Sequence, residues 1–182
     1  MNQEWKENFQ SDALKQACIH EAGHIVVAKA MNCQVLSTEV FEDGNGMSTI
    51  HYGKFNQMVK ALANHGDKEV AEYSRNDEFG AVVNTYVIIL LAGHLAEFLY
   101  KEDFQSSGKA NVLFEGKDSS DIKYISKLYG ADAISSSSKV TSAILHDNKE
   151  IVEMTAMRIY ESRSLNGDEI QVLTQNVVNP LK

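Results

Sequence analysis

A mainly α fold is predicted: one helical domain of five or six helices with a small β-hairpin. Three observations carry this. The 182 residues contain one proline, Pro180, where average usage would give about nine, so few helices are forced to break. Apolar residues recur at three- and four-residue steps along several long segments. β-branched and aromatic residues gather around a single Gly/Asn turn.

The first helix is expected from about Asp12 to Met31, with Ser11 or Asp12 as its N-cap. Ala13, Ala17, His20, His24, Val27 and Met31 share one of its faces. Val35–Phe41 and Met47–Tyr52, separated by Glu-Asp-Gly-Asn-Gly, read as two short strands. Phe55–Asn64 reads as a short amphipathic helix. Phe79–Lys101 reads as one long helix, apolar in its middle. Asp121–Tyr129 reads as another, capped by Ser119 or Ser120 and stopped by Gly130. Ser135–Ser138, four serines in a row, reads as a loop between helices. Lys139–Ser162 reads as one long helix, and a last short helix starts near Asp168. Residues 1–182 form one domain, of which 1–11 are expected to be a flexible N-terminal tail.

Composition excludes several classes. Apolar residues at 43% and charged residues at 23% are incompatible with disorder throughout. Seventeen Lys+Arg against 25 Asp+Glu give a net charge of −8, which is wrong for binding a nucleic-acid backbone. Tyr86–Gly93 is the most apolar run, and at eight residues it is far short of the roughly 20 of a membrane span. The polar start, Met-Asn-Gln-Glu-Trp-Lys, is not that of a secretory signal. Two cysteines, Cys18 and Cys33, make neither a disulfide framework nor a thiolate zinc site. Both read as buried small hydrophobes, and a cytoplasmic location is expected.

The chemistry concentrates at His20-Glu21-Ala22-Gly23-His24. Histidines four apart on a helix lie one turn apart on the same face, so both imidazoles can reach one Zn2+ ion. Glu21 stands beside them, placed to act as general base on a zinc-activated water. Gly23 inside a helix calls for a packing or functional reason. A catalytic zinc takes three protein ligands. The candidates for the third are His51, His65, His94, His146 and two carboxylates, Glu97 and Asp121. His65 lies in a polar stretch and reads as solvated, His146 as a surface residue. Glu97, within an apolar helix, would need a buried partner.

Four segments in order carry a resemblance. Ala17–Ala28 (ACIHEAGHIVVA), Ile89–Tyr100 (ILLAGHLAEFLY), Gly116–Gly130 (GKDSSDIKYISKLYG) and Met154–Leu173 resemble the peptidase domain of the FtsH family of ATP-dependent zinc metalloproteases. The resemblance implies a zinc metalloendopeptidase acting on peptides or unfolded proteins. It implies His20, His24 and Asp121 as ligands, Glu21 as the catalytic base, and Glu97 as a supporting group. The family's Arg in the second segment is replaced by His94, and Asn64–Asp77 reads as an insertion. The sequence contains no G-x-x-x-x-G-K-[ST] phosphate loop, so the resemblance covers the peptidase domain alone. A separate ATPase or a homo-oligomer is then the expected partner, beside the substrate. The competing expectations are a catalytically weak or inactive zinc module that binds protein partners, and a regulatory peptidase that cuts a single partner such as a repressor.

Overall fold

In the computed structural model, which describes residues 5, 9–102 and 116–180, the chain is built around one buried helix, α1 (Ala13–Ala30). Asp12 caps it, its carboxylate accepting from the Lys15 backbone N–H at 3.0 Å. From Ala17 to Ala30 only His20 and Lys29 escape full burial. A helix covered on nearly every side must be apolar on nearly every side. Ile19, Ala22, Ile25, Val26 and Val27 meet that requirement.

A small sheet and four helices cover it. A hairpin of β1 (Gln34–Val40) and β2 (Gly46–His51) lies along one side, with a short β3 (Ser164–Asn166) completing an antiparallel sheet of order β2-β1-β3. The extra residue Leu36 bulges β1 between Val35, opposite Ile50, and Ser37, opposite Thr49. β2 is therefore an edge strand. On the other sides lie α4 (Phe79–Leu90), α5 (Ala92–Lys101), α7 (Ala131–Asp147) and α8 (Lys149–Ser162). The remaining helices are α2 (Asn56–Ala63), α3 (Asp67–Tyr73), α6 (Gly116–Tyr129) and α9 (Gly167–Leu173). The mainly α class with a small hairpin is what the structure has.

Several elements differ from the sequence reading. The expected helix Phe79–Lys101 is interrupted at Leu91. There the carbonyls of Ile88 and Ile89 are taken by side chains, by Thr141 Oγ1 at 3.0 Å and by His24 Nδ1 at 2.8 Å. Side-chain donors entering the carbonyl ladder are a recognised cause of helix breaks. This whole stretch is long and apolar enough to cross a membrane, but 72% of its apolar window is buried inside the protein. Lys139–Ser162 is likewise two helices, broken at Asn148. The Asn148 amide bonds Ile144 O and Val178 O, and its oxygen accepts from Val178 N, each at 2.8 Å. The four serines are not a loop but part of α7. Serine is only mildly unfavourable in a helix, and the Ser137 hydroxyl donates to Asn84 Oδ1 at 3.0 Å. The proposed insertion forms α3, and β3 had no sequence signal. Of the expected tail, residues 1–4 and 6–8 lie outside the described residues. Phe9 is buried against Tyr100, and Trp5 packs on Tyr100 and Tyr160.

Gly23 has its packing reason. A Cβ there would stand 2.6 Å from the Ala92 carbonyl oxygen and 2.7 Å from Ala96 Cβ. The two helices touch backbone to side chain at this point. Gly23→Ala gains up to about 1 kcal/mol in helix propensity but overpacks a rigid contact, which costs about 1–3 kcal/mol. Its thermal midpoint is expected below wild type, and an unchanged or raised midpoint in a melting experiment contradicts this contact.

Both cysteines are buried, and burial pushes the Cys18 thiol up to about 12 and the Cys33 thiol up to about 11. At pH 8 their thiolate fractions are then of order one in ten thousand and one in a thousand. Native protein is expected to resist thiol reagents, with both groups reacting once denaturant is added. Rapid labelling of native protein is the contrary result.

Candidate metal centre

The wall of one cavity, of about 800 Å³, is formed by the middle of α1, the β2 edge, the α4–α5 junction and Asp121 of α6. Cavities of this size are typical of ligand sites. His20, Glu21, His24 and Asp121 all line it. Their spacing explains the first three. His20 and His24 project one above the other, their rings 4.7 Å apart and steeply inclined.

Each imidazole is oriented from behind. His24 Nδ1 meets the Ile89 carbonyl at 2.8 Å. A carbonyl only accepts, so this nitrogen carries the proton. His20 Nδ1 meets Glu97 Oε1 at 2.7 Å. The two Nε2 atoms then face each other at 3.0 Å. With both Nδ1 atoms protonated, neutral rings present two lone pairs to one another. That contact is repulsive unless a cation, a proton or a metal, lies between them. Two nitrogens on a tetrahedral zinc, at about 2.0–2.1 Å each, stand about 3.3 Å apart. The donor pair therefore fits such an ion in type, protonation and spacing.

Glu97 holds the buried partner that the sequence called for. It bonds the edge of the His20 ring opposite Nε2, the arrangement that orients a metal-binding histidine rather than joining the same ion. His94 packs edge-on against His20 at 4.8 Å between centroids, with Nδ1 3.9 Å from Glu97. Among the described residues, His20, His94 and Glu97 are the three donors whose ligand atoms lie within 4.8 Å of one another. Asp121 is not in such a group with the two histidines. It lies on the same cavity wall as both.

Asp121 is 2% exposed. It sits inside α6 rather than at its start, since the helical backbone is described from Gly116. Tyr86 OH donates to its Oδ2 at 2.7 Å, and His65 Nε2 lies 2.9 Å from its Oδ1. His65 is thus not simply solvated. His51 stays half-buried in β2 and accepts from Gly53 N at 3.3 Å. His146 is exposed, as read from the sequence.

Glu21 is 4% exposed. The Ser48 hydroxyl donates to its Oε2 at 2.6 Å, and Ser48 is itself paired with Thr38 Oγ1 at 2.9 Å. Oε1 lies over Gly46, where a Cβ would come within 2.7 Å of it. One carboxylate oxygen is tied down and the other is left clear by the missing side chain. Gly93 plays the same part for His20, since a Cβ there would be 2.3 Å from Nε2.

Sequence reasoning missed Ser48, Gly46, Tyr86 and the bond made by His65. Ser48 and Tyr86 lie in ordinary strand and helix patterns that carry no signal of their role. The Asn45-Gly46 pair marks a turn, but not what the turn rests on. The chain matches no family model and no curated protein.

In metal-free protein near pH 8, long-range ¹⁵N–¹H spectra are expected to show His24 as the Nδ1–H tautomer. An Nε2–H signal for His24 contradicts the hydrogen bond to Ile89.

Proposed function

We propose that this chain is a zinc-dependent metalloendopeptidase of the FtsH-like kind, hydrolysing peptide bonds in peptides or unfolded proteins. The observation that carries this reading is the His20–His24 pair. Two anchored imidazoles bring their Nε2 atoms to 3.0 Å from each other, beside the buried carboxylate of Glu21 on the cavity wall. His20 and His24 would hold the ion, with Asp121 as third ligand. Support for Asp121 is its place on the same wall, its burial, and the resemblance of its segment. A zinc ion held there supplies Lewis acidity, lowering the pKa of a water toward about 7 and polarising the scissile carbonyl.

The protein's own groups do the rest. Glu21 Oε1 takes a proton from the attacking water and passes it to the leaving amine. Ser48 holds the other oxygen and so fixes the direction of Oε1. Glu97 holds the His20 ring through Nδ1. Among the described residues β2 is an edge strand, and its outer side, with Gly46, Met47, Ser48 and Ile50 lining the cavity, is a place where an extended peptide can add as a strand. Opening a folded substrate is assigned to a separate ATPase or to assembly of this chain.

One observation favours a second reading, a metal-bearing interaction module without turnover. Both Asp121 oxygens already accept hydrogen bonds, Oδ2 from Tyr86 OH and Oδ1 from His65 Nε2. The retained Glu21, with one oxygen kept clear, weighs against it.

Purified chain loaded with zinc is expected to carry one ion and to cleave an unfolded model protein. Glu21→Gln is expected to keep the zinc and lose about 10²–10⁴ in rate. A variant with full turnover removes Glu21 as base. Asp121→Ala is expected to weaken zinc binding, and unchanged zinc content moves the third ligand elsewhere. Bound zinc without cleavage decides for the interaction module.

A further inference from the structure

We propose that His65 is a positioning residue for Asp121, and that the turn carrying it braces the third ligand of the metal site. This rests on the reading of Asp121 as a ligand given above. An ionised carboxylate offers about four lone-pair directions. At Asp121, Tyr86 OH donates to Oδ2, His65 Nε2 donates to Oδ1, and Ser120 Oγ stands at 3.4 Å from Oδ1. The Tyr86 and His65 bonds, at 2.7 and 2.9 Å, hold one oxygen each and so fix the plane of the carboxylate.

The placement of His65 is not that of a side chain left in solvent. Its backbone takes a left-handed conformation, φ 52°, in the turn that ends α2. The turn is closed by His65 N to Leu62 O at 3.1 Å and Gly66 N to Ala61 O at 3.0 Å. Histidine is one of the few residues that accept this conformation readily. The imidazole stacks on Tyr124, centroids 4.4 Å apart and planes 18° apart. Tyr124 stands three residues after Asp121 on α6, so one ring spans the bond to the carboxylate and the stack below it. Tyr124 OH in turn donates to Asp67 Oδ1 at 2.9 Å, at the start of α3. The ring is held by α6 on one side and its tyrosine support by α3 on the other. Asp121 accepts, so His65 donates from Nε2–H. The segment that read as an insertion thus reaches the site through one hydrogen bond.

The test is zinc affinity of the full metal-free chain, measured by competition with a chromophoric chelator. His65→Ala is expected to bind zinc about 10–100-fold more weakly than wild type, the usual effect of removing a group that orients a ligand. His65→Gln, which keeps an N–H at similar reach, is expected to recover most of that loss. The His65 side chain is 37% exposed, and circular dichroism of both variants checks that the helices are retained. Affinity of His65→Ala within twofold of wild type overturns the proposal, as does a loss that His65→Gln does not recover. If Asp121→Ala is weakened and His65→Ala is not, the brace alone falls. If wild type binds no zinc, the reading of the site falls and the brace with it.

Discussion

The contact between Gly23 and the Ala92 carbonyl sets the distance between α1 and α5, and the site is hung on that distance. Because the helices meet without a side chain between them, His20 one turn earlier reaches Glu97. His24 one residue later reaches the Ile89 carbonyl. A methyl group in the contact would push the helices apart by a few tenths of an ångström. Hydrogen bonds of 2.7 and 2.8 Å do not survive such shifts unchanged. Gly93 repeats the device against the His20 ring and Gly46 against Glu21. Three glycines therefore do for the candidate site what large side chains do for the core: they decide where things stop.

The helix break at Leu91 belongs to the same arrangement. The carbonyl of Ile89 fixes the tautomer of His24, and the carbonyl of Ile88 receives Thr141 from α7. The irregular turn ties the cavity-facing side of α1 to the outer helices. A straight helix through this point would use those carbonyls on itself.

Much of the fold was legible because it follows from local rules. A single proline, the spacing of His20 and His24, the capping Asp12 and the Gly/Asn turn each act within a few residues. Glu97 could be read as needing a partner because an isolated carboxylate among Leu95, Ala96 and Leu99 is costly. The illegible parts were set by residues far apart in sequence. The breaks at Leu91 and Asn148 come from side chains that arrive from Thr141, His24 and Val178. Ser135–Ser138 joined a helix because Asn84 and neighbouring apolar residues stabilise it from outside. His65, among Asn64, Gly66 and Asp67, carried every mark of a surface residue. Only the return of α6 beside it made it a partner. The proposed third ligand, Asp121, was carried by resemblance rather than by spacing.

The open edge of β2 has a side unconnected with chemistry. A row of unpaired backbone groups will pair with any extended chain, including another copy of this one. β3 pairs with the other side of β1, and among the described residues no strand pairs with the outer side of β2. The exposed Met47, 58% accessible, makes that edge stickier. What opposes self-pairing is the net charge of −8, a long-range repulsion between identical molecules that salt screens over about 8–10 Å. The colloidal behaviour of this protein is therefore tied to ionic strength: dilute buffer keeps the edge open, and high salt brings copies close enough to use it.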